Sequence, residues 1–390
     1  MPNSKRYASL ASRALFTSVL VLAVFLAPSG QAATNLSILP GAAETAGQNG
    51  AYFSSTLWIT NISTGTVNAL IGLIPASGAA PAPVAVTIPA GRTQRFLRAL
   101  STLFGPNFKS GTITVSADGN LALQLVTQNI ADERGTYGLA LTPVAENELL
   151  TAGKTGHAIW VSQSGDPTVG YRTNVAAALV DKDTSLEVRV FDEAGTLRGT
   201  RNVGTATPAN WQESVASIAG SELPRGRVEI KVLTGRATGY TAVVDNVTGD
   251  GIASQTVAIS PTVNDLLLDG VARTPGANGT HWSTDVRLFN PNPSALTVTL
   301  DAIGFPTGPA SILRTIPANG LVEIQDVLAA FGMPDGVAGA LRLHAASPFL
   351  AAGRTNNSDP TGQRPGTISA YQQPIPFPAG LVAAPDTAVF

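Results

Sequence analysis

The chain is 390 residues long, 44% hydrophobic and only 13% charged, with 24 Lys and Arg against 26 Asp and Glu for a formal charge of −2 at neutral pH. This balance excludes the basic patch that nucleic acid or an anionic membrane surface calls for. With no cysteine anywhere, disulfide staples, a thiol nucleophile and a lipid attached at a leader cleavage site are excluded too, so any fold must rest on apolar cores.

Lys5, Arg6 and Arg13 precede an apolar run from Ala14 to Ala27, and Gly30-Gln31-Ala32 puts small residues where a signal peptidase reads. The pattern predicts a secretory signal over 1–32, cleaved after Ala32. Its run is shorter than the roughly 20 residues needed to span a bilayer, which argues against a membrane anchor. No later stretch is long and apolar enough to span either, so the mature chain is expected to lack a transmembrane anchor. Losing three basic residues with the leader makes the mature protein mildly acidic. Its expected place is outside the cell or on the cell surface, with the periplasm as the other compartment allowed, and the lack of cysteine in a secreted sandwich leans toward a bacterial origin.

Beyond Ala32 the chain says nearly the same thing three times, at a spacing of about 110 residues, the size of one β-sandwich domain. Boundaries are expected near Leu149 and Leu266, giving domains over 33–148, 149–265 and 266–390. A turn rich in Gly and Asn opens copies one and three, Gly47-Gln48-Asn49-Gly50 and Gly276-Ala277-Asn278-Gly279. An aromatic residue then starts a strand in every copy, at Phe53, Tyr171 and Trp282. Their equivalence predicts that these three rings occupy core positions. Alternation continues through Leu57, Ile59 and Asn61 and through Val286, Leu288 and Asn290, and a further strand is clearest where Leu186, Val188 and Val190 alternate with Glu187 and Arg189. An Ile-Pro-Ala turn follows at Ile88 and Ile316, with Thr207-Pro208-Ala209 in copy two. Next comes a short helix ending on glycine: Phe96 to Phe104 at Gly105, Glu213 to Ala219 at Gly220, Val327 to Phe331 at Gly332. Further strands close each copy around a polar loop, at Asp132-Glu133-Arg134-Gly135, Asp245 to Gly251 and Asn356 to Gly366. After Ala370 a last strand and a proline-rich tail are expected.

These residues resemble a repeat of secreted bacterial proteins of mostly unknown function. That pattern has a Gly-rich turn, an aromatic, a Thr-Asp pair, Phe-Asn-Pro, Pro-Ala-Gly, a short helix and a closing Gly-Thr-Tyr-Gly. Copy three fits through Gly276, Asn278, Gly279, Trp282, Thr284, Asp285, Leu288, Phe289, Asn290, Pro291, Pro317 and Gly320. Copy one keeps Gly50, Asn61, Pro89, Ala90, Gly91 and Gly135-Thr136-Tyr137-Gly138. Copy two rests on Tyr171, Pro208, Gly220 and spacing. The resemblance implies a β-sandwich and no particular activity.

No catalytic constellation assembles from the residues. Gly153-Lys154-Thr155 ends like a phosphate loop, but Glu148 stands where that loop needs glycine. A nucleophile elbow is missing, and His157 in copy two and His281 and His344 in copy three stand far apart in sequence, none with a second His at metal-ligand spacing. Acid pairs such as Asp181 with Asp183 or Asp192 with Glu193 read as turn chemistry. No cofactor or catalytic residue is expected, and the chain is read as a non-enzyme. Calcium has weak candidates in Asp245, Asn246 and Asp250, then Asn356, Asn357 and Asp359. Trp58, Trp160 and Trp211 do not recur in register and are the candidates for ligand stacking, with Trp160 near a junction between copies. A transmembrane β-barrel is disfavoured by the low aromatic content, 6%, and by a helix in every copy.

The expected fold is all-β, three tandem immunoglobulin-like β-sandwich domains, each with one short helix. The expected role is structural, adhesive or surface-assembling, with other surface proteins or the protein itself as partners. An array of carbohydrate- or ligand-binding modules is the alternative.

Overall fold

Alternation decides the layers. Leu186, Val188 and Val190 are fully buried, while Glu187 and Arg189 between them lie on the partly exposed face of the same strand. A computed structural model describes residues 35–131, 137–305, 310–358 and 368–377. The signal segment, Asp132-Glu133-Arg134-Gly135, Thr136, the stretch from Asp359 through Gly366 and the prolines from Pro378 onward lie outside the described residues.

The described chain is built of strands in four antiparallel sheets with a few short helices. The first sheet runs in the order 84–88, 67–75, 110–117, 35–46, 52–61, 121–129, 137–141, with 93–96 and 144–145 branching from it. The last runs 311–316, 296–303, 337–345, 265–275, 281–289, 350–358, 368–372, with 321–324 and 375–376 as its branches. Between them lie two five-stranded sheets, 197–205, 184–192, 223–234, 155–163, 257–258 and 150–151, 236–245, 171–179, 209–214 with 251–255. The same neighbours therefore recur three times. The difference is one pairing: the opening strand bonds the aromatic strand in copies one and three, joining two layers into one sheet, whereas 155–163 and 171–179 stay in separate sheets.

Each opening strand slips register partway along, between Leu39 and Ala42, Ala158 and Val161, and Leu268 and Val271. Such a bulge leaves backbone groups without ladder partners. A hydroxyl two residues after the aromatic takes them up. Ser55 accepts from the Ala43 N–H at 2.8 Å and lies 2.6 Å from the Thr127 hydroxyl, which donates to the Gly41 carbonyl at 2.8 Å. Thr284 accepts from the Ala272 N–H at 2.9 Å with Thr355 at 2.8 Å, and Thr173 accepts from the Ser162 N–H at 3.1 Å. The recurring Ser or Thr is thus a bulge partner.

Asn61 and Asn290, both fully buried, tie the turn after the aromatic strand to the Ile-Pro-Ala turn. The Asn61 amide donates to the Gly65 and Ile88 carbonyls, both at 2.8 Å, and its oxygen accepts from the Ser63 N–H at 2.8 Å. Copy two has Leu179 eight residues after Tyr171, where Asn61 and Asn290 stand eight residues after Phe53 and Trp282.

The helices are shorter than expected, 99–104, 215–219 and 327–330: Phe96 and Glu213 still belong to strands, and Phe331 is the C-cap of the third helix. Gly105, Gly220 and Gly332 do take positive φ, at 93°, 92° and 72°. Three cores form between layers, around Leu57 and Ile113, Val188 and Ile230, and Leu288 and Leu343. Phe53, Tyr171 and Trp282, expected at core positions, are instead half-buried outside these cores. A methyl group on Gly47 would sit 2.5 Å from the Phe53 ring, and one on Gly276 would sit 2.6 Å from the Trp282 ring nitrogen. The opening glycine makes room for the aromatic ring. Asn356 and Asn357, expected in a loop, lie in the strand 350–358.

Candidate functional site

The chain's recurring device is the junction between consecutive copies, and its two examples share one geometry. The start of the opening strand and the last strands of one copy lie on the outer face of the next copy's aromatic strand and its neighbours. Between copies one and two this brings Ile38, Val144, Leu139 and Leu141 against Ala176, Ala178, Tyr240 and Ala253. Between copies two and three it brings Ile159, Trp160 and Ile252 against Phe289, Leu321, Ala352 and Tyr371. Register gives the equivalence. Ala176 and Arg287 each lie five residues after their copy's aromatic, opposite Tyr240 and Ala352 on the neighbouring strand.

The first junction is mainly apolar, with the Thr112 hydroxyl donating to Asn210 at 2.9 Å and Arg236 pairing with Glu146 at 2.6 Å, and the second is built on arginines. Arg287, 3% exposed, has its guanidinium 4.5 Å from the centre of the Trp160 ring. It donates to Glu323 at 2.6 Å, the Val161 carbonyl at 2.8 Å and the Ser162 hydroxyl at 3.0 Å. Arg227 points the other way across the junction, held between the Phe191 and Phe289 rings at 4.0 and 4.3 Å and paired with Glu229. Arg354 lies over Tyr171 at 4.8 Å and donates to its hydroxyl at 2.9 Å. Burial pulls the Arg287 and Arg227 guanidiniums below their ordinary range, and their glutamate partners oppose that pull. Planar guanidinium suits this place because it stacks and hydrogen-bonds at once.

His157 lies against Phe289, ring centres 5.5 Å apart, and burial lowers its pKa to about 4, against the opposing pull of Glu229 and with help from Arg227 and Arg189. It is neutral at pH 7, so its 3.6 Å approach to Glu229 is no ion pair there. Beside it a cavity of about 190 Å³ is lined by Ile159, Ser254, Phe349, Tyr371 and Pro376. A wider cleft of about 620 Å³ opens on copy one between Leu36, Ile62, Leu121, Leu123 and Glu146, beside the first junction, where Leu36 packs and Glu146 pairs with Arg236.

The residues singled out in the sequence scatter over these surfaces. Trp160 is 2% exposed, inside the second junction. Trp211 is half-buried against the core of copy two, and Trp58 is half-buried on the outer face of copy one, five residues after Phe53. They do not gather at one site. Asp245 accepts from the Val247 and Thr248 N–H groups at 2.8 and 2.9 Å. Asn246 donates to the Val169 carbonyl at 3.0 Å and accepts from Arg172 at 2.9 Å. Asp250 accepts from the N–H of Ser369 in copy three at 2.7 Å, and burial pushes its pKa up to about 6. Asn357 accepts from the His281 N–H at 3.2 Å and Asn356 donates to Asp285 at 2.8 Å. Asp359 lies outside the described residues. The oxygens proposed for calcium thus hold turns and a junction, and no group of three or more His, Asp or Glu suited to a metal occurs among the described residues. His281 and His344 contact Asp335 and Asp301 at 3.1 and 3.0 Å, both pairs within copy three.

Sequence reasoning missed the arginines. Arg227, Arg287 and Arg354 sit in strands among apolar neighbours, and that placement was the available signal. Comparison with protein-family models and with curated proteins finds no match to this chain. No helix among the described residues is long and apolar enough to cross a membrane.

Proposed function

We propose that the chain is a row of three immunoglobulin-like β-sandwich domains that, once exported, serves as a non-enzymatic structural, adhesive or assembly part of a bacterial surface. The observation that carries this reading is the pair of junctions. Arg287, Arg227 and Trp160 are withdrawn from solvent to join one copy to the next. Buried charge paired in this way fixes relative orientation, a property that a spacer or scaffold needs and that independent binding modules on flexible linkers do not. Repetition of a scaffold without repetition of a reactive side chain favours the same role.

Crosslinking the tagged protein in its producing cells, then identifying what is captured from the envelope and extracellular fractions, tests this. Capture of itself or of surface proteins is expected. Capture of glycan without protein would favour the module array and direct attention to Trp58 and Trp211, the two candidate tryptophans that keep some exposure.

A further inference from the structure

The two internal junctions use complementary surfaces, a donating edge and an accepting face, and among the described residues copy one leaves its accepting face uncovered and copy three its donating edge. On copy one the accepting face carries Trp58 where copies two and three place Ala176 and Arg287, opposite Gln124 as those residues stand opposite Tyr240 and Ala352. Trp58 is half-buried there, and Gln124 is exposed, whereas Tyr240 and Ala352 are buried at 5% and 0%. Ile62, nine residues after Phe53, is 63% exposed; Val180, nine after Tyr171, packs into the first junction.

The donating edge of copy three mirrors this. Ile375 pairs with Leu267 as Val144 pairs with Ile38. Val144 and Ile38 are 3% and 0% exposed within the first junction, yet Ile375 is 50% exposed and Leu267 half-buried. Each end therefore displays a large apolar side chain, Ile62 or Ile375, whose counterpart, Val180 or Val144, packs into the first junction; at the second junction the counterparts are the half-buried Pro291 and Val257. Such a pair of unlike, complementary surfaces makes a heterologous contact, which propagates into open filaments or rings.

We propose that the chain associates head to tail with further copies of itself, the Leu267–Ile375 edge of one copy of the chain docking on the Trp58–Ile62 face of the next and repeating the internal junction. This deepens the structural reading above and rests on it. The partner is committed by the geometry: the face on copy one matches in register two faces that already receive a copy of this fold.

The test is sedimentation velocity of the purified protein over a concentration series, alongside Ile62→Glu and Ile375→Glu. Both residues are exposed, so both variants should keep the parent's melting temperature. The parent should form a ladder of oligomers, each variant alone should stay monomeric, and an equimolar mixture should give a dimer and nothing larger, because only one good head and one good tail remain per pair. A parent that is monomeric at every concentration, one that stops at a symmetric dimer, variants that assemble like the parent, or a mixture that stays monomeric would each overturn the proposal. A monomeric parent that is still crosslinked to other surface proteins would leave the broader structural role standing.

Discussion

Arg287 places its guanidinium 4.5 Å from the centre of the Trp160 ring while bonded to Glu323, and the Arg287 and Glu323 side chains are only 3% and 10% exposed. Arg287→Met keeps most of the stem but leaves the Glu323 carboxylate buried without its cation. The expected loss is about 3–5 kcal/mol in equilibrium urea unfolding. Adding Glu323→Gln should recover a large part of it, and a double variant whose loss equals the sum of the singles would contradict the pairing.

Gly276 and Gly279 belong to one turn yet resist substitution for different reasons. At Gly276 φ is −113°, open to any residue, but a methyl group would meet the Thr280 hydroxyl and, at 2.6 Å, the Trp282 ring; at Gly279 φ is +74° and the space is open. Gly276→Ala should cost about 1–3 kcal/mol through overpacking. Gly279→Ala should cost about 1–2 kcal/mol through backbone strain. Trp282→Leu combined with Thr280→Ala should relieve the first penalty and leave the second unchanged, read as shifts in the unfolding midpoint.

The Asn290 amide nitrogen reaches the carbonyls of Ser294, Ile316 and Pro317 at 2.8, 3.2 and 3.0 Å. Asn290→Ala strands buried acceptors and should cost about 1–3 kcal/mol. Asn290→Asp, closer in shape, should cost more, because it sets a carboxylate against those same carbonyls. Thermal unfolding of the two variants ranks them directly.

Two buried groups at the second junction respond to acid in opposite directions. His157, at about 4 in the fold and near 6.5 unfolded, binds fewer protons when folded, so its contribution is present above about pH 6.5 and lost as pH falls toward 4. Asp250, raised to about 6 from 3.8, binds more protons when folded, so its contribution is present at about pH 4 and lost as pH rises through 6. The two oppose each other between pH 4 and 6. Asp250→Asn keeps an acceptor for Ser369 and should stabilise increasingly as pH rises from 4 to 6 relative to the parent. A stability difference independent of pH would rule out the raised carboxyl.

Local chemistry was legible from the chain alone wherever it is written in neighbouring residues. Alternation placed Leu186, Val188 and Val190 inward, and glycine after each apolar run marked the three helix ends, since a positive φ is a property of one residue. The all-β character followed from the same patterns. Contact across about a hundred residues was not legible. Whether the ring of Trp160 faces a ligand or a guanidinium depends on which strand of the next copy lies over it, and Arg287 is 127 positions away. The loop acids show the same limit: Asp245 reads foremost as a turn residue and only secondarily as a calcium ligand, and which N–H groups it accepts from is known only once the backbone around it is placed. Periodicity and turn residues set the elements, because those preferences act within a few bonds. Only the tertiary arrangement decided which polar side chains were withdrawn from water, because burial is a property of everything packed around a residue.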